Sequence, residues 1–118
     1  MSGNLPPELP PPADRRPGRR RRVLLGGRVS YHDGTQVFDC SIRDLSDGGA
    51  RITVPSTQVL PTQVYLINLR DRLAYESLVV WKRGGEAGLS FVKTLQVGDL
   101  GDSHLGYLKR LWLERAAR

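Results

Sequence analysis

The chain contains a single cysteine, Cys40, so an internal disulfide bond is excluded. Phe38, Cys40 and Ile42 alternate with polar residues, which predicts that the thiol lies on the apolar face of a strand as a small core residue. The stability of the fold must therefore come from buried apolar side chains and not from covalent cross-links.

Long apolar runs are also missing from the sequence. No stretch approaches the ~18–20 apolar residues that a membrane-spanning helix requires. The first residues, MSGNLPPELPPPA, are rich in proline and lack the apolar centre of a secretory signal peptide. These two features predict a cytoplasmic protein without a membrane span.

Patterns typical of catalysis or metal binding are absent as well. The two histidines, His32 and His104, have no cysteine or carboxylate partner at the spacing of a metal site. The sequence has no Gly-x-Ser-x-Gly motif, no P-loop and no paired-carboxylate signature. We therefore predict a binding protein that is not an enzyme and that carries no metal or cofactor.

Positive charge is concentrated near the beginning of the chain. Residues 1–22 carry six arginines against two acidic residues, whereas the rest carries 12 Lys and Arg against 10 Asp and Glu. A length of 118 residues is enough for one domain. We predict a disordered Pro-rich tail at 1–13, an Arg-rich arm at 14–22 that captures an anionic ligand, and a folded domain at 23–115.

The folded domain reads as mainly β. Six short, strand-like segments are separated by turn residues, and their even spacing predicts a six-stranded antiparallel barrel. A change to helical periodicity after Val97 predicts a C-terminal helix that packs Leu108, Leu111 and Trp112 on the barrel. Trp81 ends a strand, where burial in the core is favoured over stacking on a ligand. The predicted strands are 23–31, 36–45, 50–54, 63–69, 73–81 and 87–92.

Two short motifs lie before the first predicted strand and at the end of the second. The first is an arginine pair four positions apart, satisfied by Arg15 with Arg19 and also by Arg16 with Arg20; the second is D-x-S-x-x-G at 44–49. Taken alone, the arginine pair is typical of a solvated basic tail, and D-x-S-x-x-G is typical of a turn held by backbone hydrogen bonds. Their order, before and within an all-β sequence, favours one site for an anionic ligand.

This ordered pair of motifs resembles the PilZ domain, the bacterial receptor module for cyclic di-GMP. The likeness covers roughly residues 15–115 and includes the strand end Val79-Val80-Trp81. It implies a stand-alone PilZ domain with a split-barrel fold, with cyclic di-GMP as ligand and no other cofactor. The implied ligand-binding residues are Arg15, Arg16, Arg20, Asp44, Ser46 and Gly49, with Arg19, Arg51 and Trp81 as additional candidates.

The chemistry of these residue types agrees with that ligand. A guanidinium group matches the O6/N7 edge of guanine and also pairs with phosphate. Asp44 can accept from the N1–H and N2–H groups of guanine, and Ser46 can donate to a phosphate oxygen. Gly49 would permit either a close backbone approach or a positive φ. Arg51 could add a phosphate contact, although an ordinary exposed strand residue is the favoured interpretation.

The resemblance further implies that the output passes to an unidentified protein effector. The arm would fold over the ligand and change the surface of the domain, with motility or envelope regulation as the expected pathway. Two alternatives remain open from the sequence. One is a small basic β-barrel that binds nucleic acid, and the other is a PilZ-like interaction module that binds no ligand.

Overall fold

The structure is a computed structural model that describes residues 20–116. Its strands form a closed barrel in the order β1-β2-β3-β6-β5-β4, and every neighbouring pair is antiparallel. The predicted six-stranded barrel with a C-terminal helix is therefore confirmed. The elements are β1 (Arg21–Tyr31), β2 (Gln36–Leu45), β3 (Gly49–Thr53), β4 (Gln63–Asn68), β5 (Leu73–Arg83), β6 (Glu86–Gln96), a 3-10 turn (Val97–Asp99) and α1 (Gly106–Ala116).

Several strands extend beyond their predicted ends. β1 begins at Arg21, two residues before the predicted start, because its first residues pair with Asp44 and Leu45 at the end of β2. β5 and β6 continue as a long hairpin in which Arg83 lies opposite Glu86. These extensions are mainly polar, and neighbouring backbone supplies the hydrogen bonds that hold them. The predicted tail at 1–13 and residues 14–19 of the predicted arm lie outside the described residues.

Apolar side chains form two separate clusters. One fills the barrel lumen with fully buried residues such as Val29, Ile52 and Leu66. The other lies between the outer barrel wall and α1, where Leu108 and Leu111 of the helix are buried. Each such leucine contributes about 1.5–3 kcal/mol when fully buried. The helix is thus an integral part of the fold, and it covers one side of the barrel.

Trp112 and Cys40 lie at the borders of these clusters. Trp112, predicted to be core, is only partly buried, and its Nε1 donates a hydrogen bond to the carbonyl oxygen of Leu69 at 2.9 Å. Cys40 packs against the lumen cluster, and burial together with the neighbouring Asp39 raises the pKa of its thiol to about 12. The thiol is therefore neutral at physiological pH and is a packing group. Within residues 20–116, no helix has the length and apolarity to cross a membrane.

Candidate ligand-binding site

The strand register brings the end of the Arg-rich segment and the D-x-S-x-x-G turn to the same end of the barrel. Arg21 lies opposite Leu45 and Arg22 lies opposite Asp44, so the end of the Arg-rich segment runs directly beside the D-x-S-x-x-G turn. Arg20 immediately precedes β1 and is exposed. The other arginines of the predicted set, Arg15, Arg16 and Arg19, lie outside the described residues. Among the described residues, the structure thus places Arg21 and Arg22 beside a turn that lies more than 20 positions further along the sequence.

A β-bulge determines the direction in which Asp44 points. Ile42 faces the lumen, so strict alternation would turn Asp44 inward as well. The register shifts between Ile42 and Asp44, however, and the extra residue is Arg43. A bulge of this kind re-aims the following side chain. Leu45 consequently enters the lumen, and Asp44 faces the outer wall.

Asp44 belongs to a line of residues that crosses the outer wall, here called the outer row. Arg51 lies opposite Asp44 on one side and opposite Gly88 on the other, and Gly88 lies opposite Trp81. Directly opposed residues on antiparallel strands have Cβ atoms about 4.5–5.5 Å apart, so their side chains interact. The outer row consists of Arg22, Asp44, Arg51, Gly88 and Trp81.

Arg51 forms ion pairs with two carboxylates. Its Nε lies 2.6 Å from Oδ2 of Asp44, and its Nη1 donates to Oε2 of Glu86. The Asp44 side chain is 9% exposed and that of Arg51 is 27% exposed. The hydrogen bond to Asp44 is the main cause that raises the pKa of Arg51 above its ordinary value. The favoured sequence interpretation of Arg51 as an ordinary exposed residue is therefore wrong.

Ser46 holds the turn between β2 and β3. Its hydroxyl donates to the carbonyl oxygen of Gly49 at 3.3 Å and accepts from the N–H of Gly48 at 3.2 Å. Its own N–H donates to the same Gly49 oxygen at 2.9 Å. The serine thus closes a tight turn through backbone groups, as its small polar side chain allows.

Gly49 is required by close approach and not by an unusual backbone angle. A Cβ at this position would overlap the carbonyl oxygen of Leu89 on β6. Among the described residues, the glycines with positive φ are Gly34 and Gly84, not Gly49. Of the two roles that the sequence left open, the structure supports the close backbone approach, and the approaching group is a neighbouring strand.

Trp81 lies on the outer wall and is 38% exposed, so the prediction of core burial is wrong. Its indole ring covers Gly88, where a Cβ would overlap the ring. The guanidinium carbon of Arg83 lies 5.8 Å from the ring centroid, which is the geometry of a cation–π contact. An exposed indole beside Arg51 gives the outer row an aromatic surface next to its charges.

A cleft of about 290 Å³ opens at the same end of the barrel, next to the turn of Ser46. Arg21, Asp47, Asp71 and Tyr75 contribute to its lining. A hydrogen bond from Arg70 is the main cause that lowers the pKa of Asp71, and burial is the main cause that raises the pKa of Tyr75. The cleft therefore presents an ionised carboxylate and a neutral phenol alongside an arginine.

Three residues of this region were missed by the sequence analysis. The position of Arg22 opposite Asp44 and the contacts of Glu86 and Gly88 depend on the pairing of strands. The Asp44–Arg51 pair could have been found, because the two residues flank a tight turn at nearly equal distances. The contact of Arg51 with Glu86 gives no local signal, since β3 and β6 are far apart in sequence.

Comparisons with known proteins agree with the architecture of the barrel. Among solved structures, the chain is similar to the PilZ domain of CeSA from a cellulose-synthesizing bacterium, with 19% identity and a TM-score of 0.52 over 80% of this chain and 95% of that chain. It is also similar to the Bacillus subtilis inhibitor of motility, MotI/DgrA, with 17% identity and a TM-score of 0.58 over 92% of this chain and 58% of that chain. At these identities the likeness concerns the fold.

A search of curated proteins gives no match. The family model of the PilZ domain matches residues 14–108, which include both motifs and all six strands. With the end of the Arg-rich segment beside the D-x-S-x-x-G turn in a closed six-stranded barrel, and with the family model matching residues 14–108, the chain belongs to the PilZ domain family.

Proposed function

We propose that this chain is a receptor for cyclic di-GMP, the ligand that its PilZ resemblance implies. The observation that carries the proposal is the convergence of the Arg-rich segment and the D-x-S-x-x-G turn at one end of the barrel. The adjacent outer wall supplies a carboxylate, a guanidinium and an exposed indole. In a ligand with two phosphates and two guanine bases, the guanidinium can bind a phosphate, the carboxylate can accept from guanine N–H groups and the indole can stack on a base.

The arginines would bind the phosphates of the ligand and the hydrogen-bond acceptors of its guanine bases. We propose that Arg16 and Arg20, with Arg15 and Arg19 in the overlapping register, hold phosphate oxygens and the O6/N7 edge of guanine. Arg20 is exposed and adjacent to the site, so its side chain is available for this contact. Charge-assisted bonds of this kind contribute about 1.5–3 kcal/mol each.

The turn and the outer row would bind the rest of the ligand. Asp44 would accept from guanine N1–H and N2–H, and the hydroxyl of Ser46 would exchange its 3.3 Å bond to Gly49 for a phosphate oxygen, a stronger acceptor. Gly49 would keep the turn close to the wall. Arg51 would contact a phosphate, and the exposed face of Trp81 would stack on a base.

Binding would act as a switch because the ligand bridges the arm and the barrel. The resulting surface would exist only in the bound state and would be recognised by a protein effector, in motility or envelope regulation. Affinity capture from cell extract tests this step. A partner retained equally by ligand-free and ligand-saturated protein would contradict a ligand-dependent surface.

Calorimetric titration tests the receptor function itself. Cyclic di-GMP should bind with a defined stoichiometry, and GTP at equal concentration should not displace it, because GTP cannot occupy both guanine positions together. A single-stranded oligonucleotide should bind only weakly, with an affinity that falls steeply with salt. Tighter binding of the oligonucleotide than of cyclic di-GMP would support a nucleic-acid binder, and no binding of either would support a pure interaction module.

Substitution of Asp44 gives the matching test of the site. Asp44→Ala should weaken binding of cyclic di-GMP about five- to 150-fold, the effect of losing a charged hydrogen-bond partner worth ~1–3 kcal/mol. The control is Asp102→Ala, which removes the same charge from an exposed position before α1. Equal affinities of the two variants would contradict the proposed role of Asp44.

A further inference from the structure

The carboxylate proposed to recognise guanine is nearly buried and paired with an arginine. Asp44 is 9% exposed, and the Nε of Arg51 lies 2.6 Å from its Oδ2. The two atoms meet because Asp44 and Arg51 are directly opposed across β2 and β3. The strand register therefore places the two side chains within pairing distance of each other.

This arrangement conflicts with direct docking of guanine on Asp44. The N1–H and N2–H groups of guanine point the same way, so they require both carboxylate oxygens at once. Oδ2 already accepts from Arg51, and although a carboxylate oxygen has a second lone pair, the 9% exposed side chain leaves little open surface for a guanine edge beside the guanidinium. The ligand can reach both oxygens only if the guanidinium moves away from Asp44.

Glu86 is a second carboxylate that can hold the guanidinium when it leaves Asp44. It accepts a hydrogen bond from Nη1 of Arg51 and its own side chain is 44% exposed, so it is reachable from solvent. Glu86 stands two residues from Gly88, the residue opposite Arg51, and therefore lies on the same outer face. Arg51 thus bonds two carboxylates on one surface at the same time, through Nε and through Nη1, and can release one while it keeps the other.

We infer that Arg51 gates Asp44, and that Glu86 holds Arg51 in the open position. When guanine replaces Arg51 on Asp44, the guanidinium keeps its bond to Glu86 and turns its freed Nε–H toward a ligand phosphate. No charge is left unpaired in either state, since Asp44 exchanges one set of donors for another. This inference rests on the proposed cyclic di-GMP site and adds Glu86 as a positioning residue.

Simple electrostatics and the gate predict opposite effects for loss of Glu86. Removing a negative charge near a dianionic ligand should strengthen binding through the Coulomb term alone. In the gate, Arg51 without Glu86 pairs more firmly with Asp44, so the same change should weaken binding. The sign of the change in affinity therefore distinguishes positioning of Arg51 by Glu86 from a general effect of the Glu86 charge.

The experiment is a calorimetric titration of cyclic di-GMP into the full chain and four variants, namely Glu86→Gln, Glu76→Gln, Arg51→Met and the double variant Arg51→Met/Glu86→Gln. Glu86→Gln should weaken binding by about three- to tenfold, the size expected for loss of one charged partner. Glu76→Gln, the same change on β5 where Glu76 lies opposite Lys93, should alter it by less than about twofold. In an Arg51→Met background, Glu86→Gln should cause no further loss, because the group that Glu86 positions is gone.

The outcomes separate the gate from the receptor function. Glu86→Gln that binds as tightly as the native chain, or more tightly, overturns the gate and leaves the receptor function intact. A loss that persists in the Arg51→Met background also overturns it, since Glu86 would then act without Arg51. A native chain that does not bind cyclic di-GMP removes the proposed function and the gate together.

Nuclear magnetic resonance supplies a second measurement that does not depend on affinity. The Nε–H resonance of Arg51, assigned by its loss in Arg51→Met, should shift when ligand saturates the protein. The Nε–H of Arg115, which donates to Asp39, is the matched control and should not shift. An unchanged Arg51 resonance at saturation shows that the Asp44 pair stays closed and overturns the gate.

Discussion

At the scale of single residues, the site depends on side chains whose positions are set by bulges and close backbone contacts. Asp44 faces outward because Arg43 is an extra residue in β2. Trp81 faces outward for the same reason, since the register also shifts between Val79 and Trp81 in β5. A shift of one residue moves a side chain from the lumen to the wall, so these two bulges create the chemical character of the outer row.

Gly49 offers a residue-scale prediction with a neighbouring control. Gly49→Ala should lower the free energy of unfolding by about 1–3 kcal/mol, because its Cβ would overlap the carbonyl oxygen of Leu89 and force β3 away from β6. Gly48→Ala should change it by less than about 0.5 kcal/mol, since no atom lies within 4 Å of a Cβ there. Urea denaturation measures both, and equal effects would contradict the close-approach explanation.

At the scale of elements, α1 is attached to the barrel by both apolar and ionic contacts. The buried Arg28 of β1 donates from Nη1 to the carbonyl oxygen of Leu111 at 3.0 Å and to Glu114 at 2.8 Å. Its Nε lies 3.1 Å from Asp39 of β2, which also pairs with Arg115 of the helix. One barrel arginine thus fixes the last turns of α1 to two strands.

The two arginines of this network should differ in their contribution to stability. Arg28→Ala should lower the free energy of unfolding by about 2–4 kcal/mol, because it removes the packing of a nearly buried side chain together with its bonds to Leu111 and Glu114 of the helix. Arg115→Ala should cost less than about 1 kcal/mol, since that pair is exposed to solvent. Chemical denaturation with a helix-sensitive circular dichroism signal distinguishes them. A larger loss for Arg115→Ala would show that the exposed pair holds the helix.

At the scale of the whole molecule, the barrel joins two distant parts of the sequence at one end. The beginning of β1, the turn at 46–49 and the turn around Asp71 all lie at this end, and the β1–β2 turn lies at the opposite end. A ligand that bridges the Arg-rich segment and the barrel should therefore change local stability at one end only.

Amide hydrogen exchange tests this asymmetry. With saturating cyclic di-GMP, exchange should slow in residues 15–20 and 44–49, because the ligand would order the first segment against the second. Residues 32–35, in the turn at the far end, are the internal control and should exchange at unchanged rates. Equal protection at both ends would indicate general stabilisation by mass action, and unchanged exchange in residues 15–20 would contradict arm closure.

The sequence by itself determined the six strands, the C-terminal helix and the family. These features are local: alternation within a strand, turn residues between strands and a motif of fixed spacing can each be recognised along the chain. The two motifs also identified Asp44, Ser46 and Gly49 as a group. How the arginines at 15, 16 and 19 meet that group stays a prediction, since they lie outside the described residues.

Only the tertiary structure decided how these residues interact. The Asp44–Arg51–Glu86 chain depends on the pairing of β3 with β6, two strands that are far apart in sequence, and no local pattern fixes that register. The exposure of Trp81 depends on a bulge that interrupts alternation, and the need for Gly49 depends on the backbone of β6. Register between distant strands follows from the packing of the whole barrel, and this is why the sequence predicted candidate binding residues but not the contacts between them.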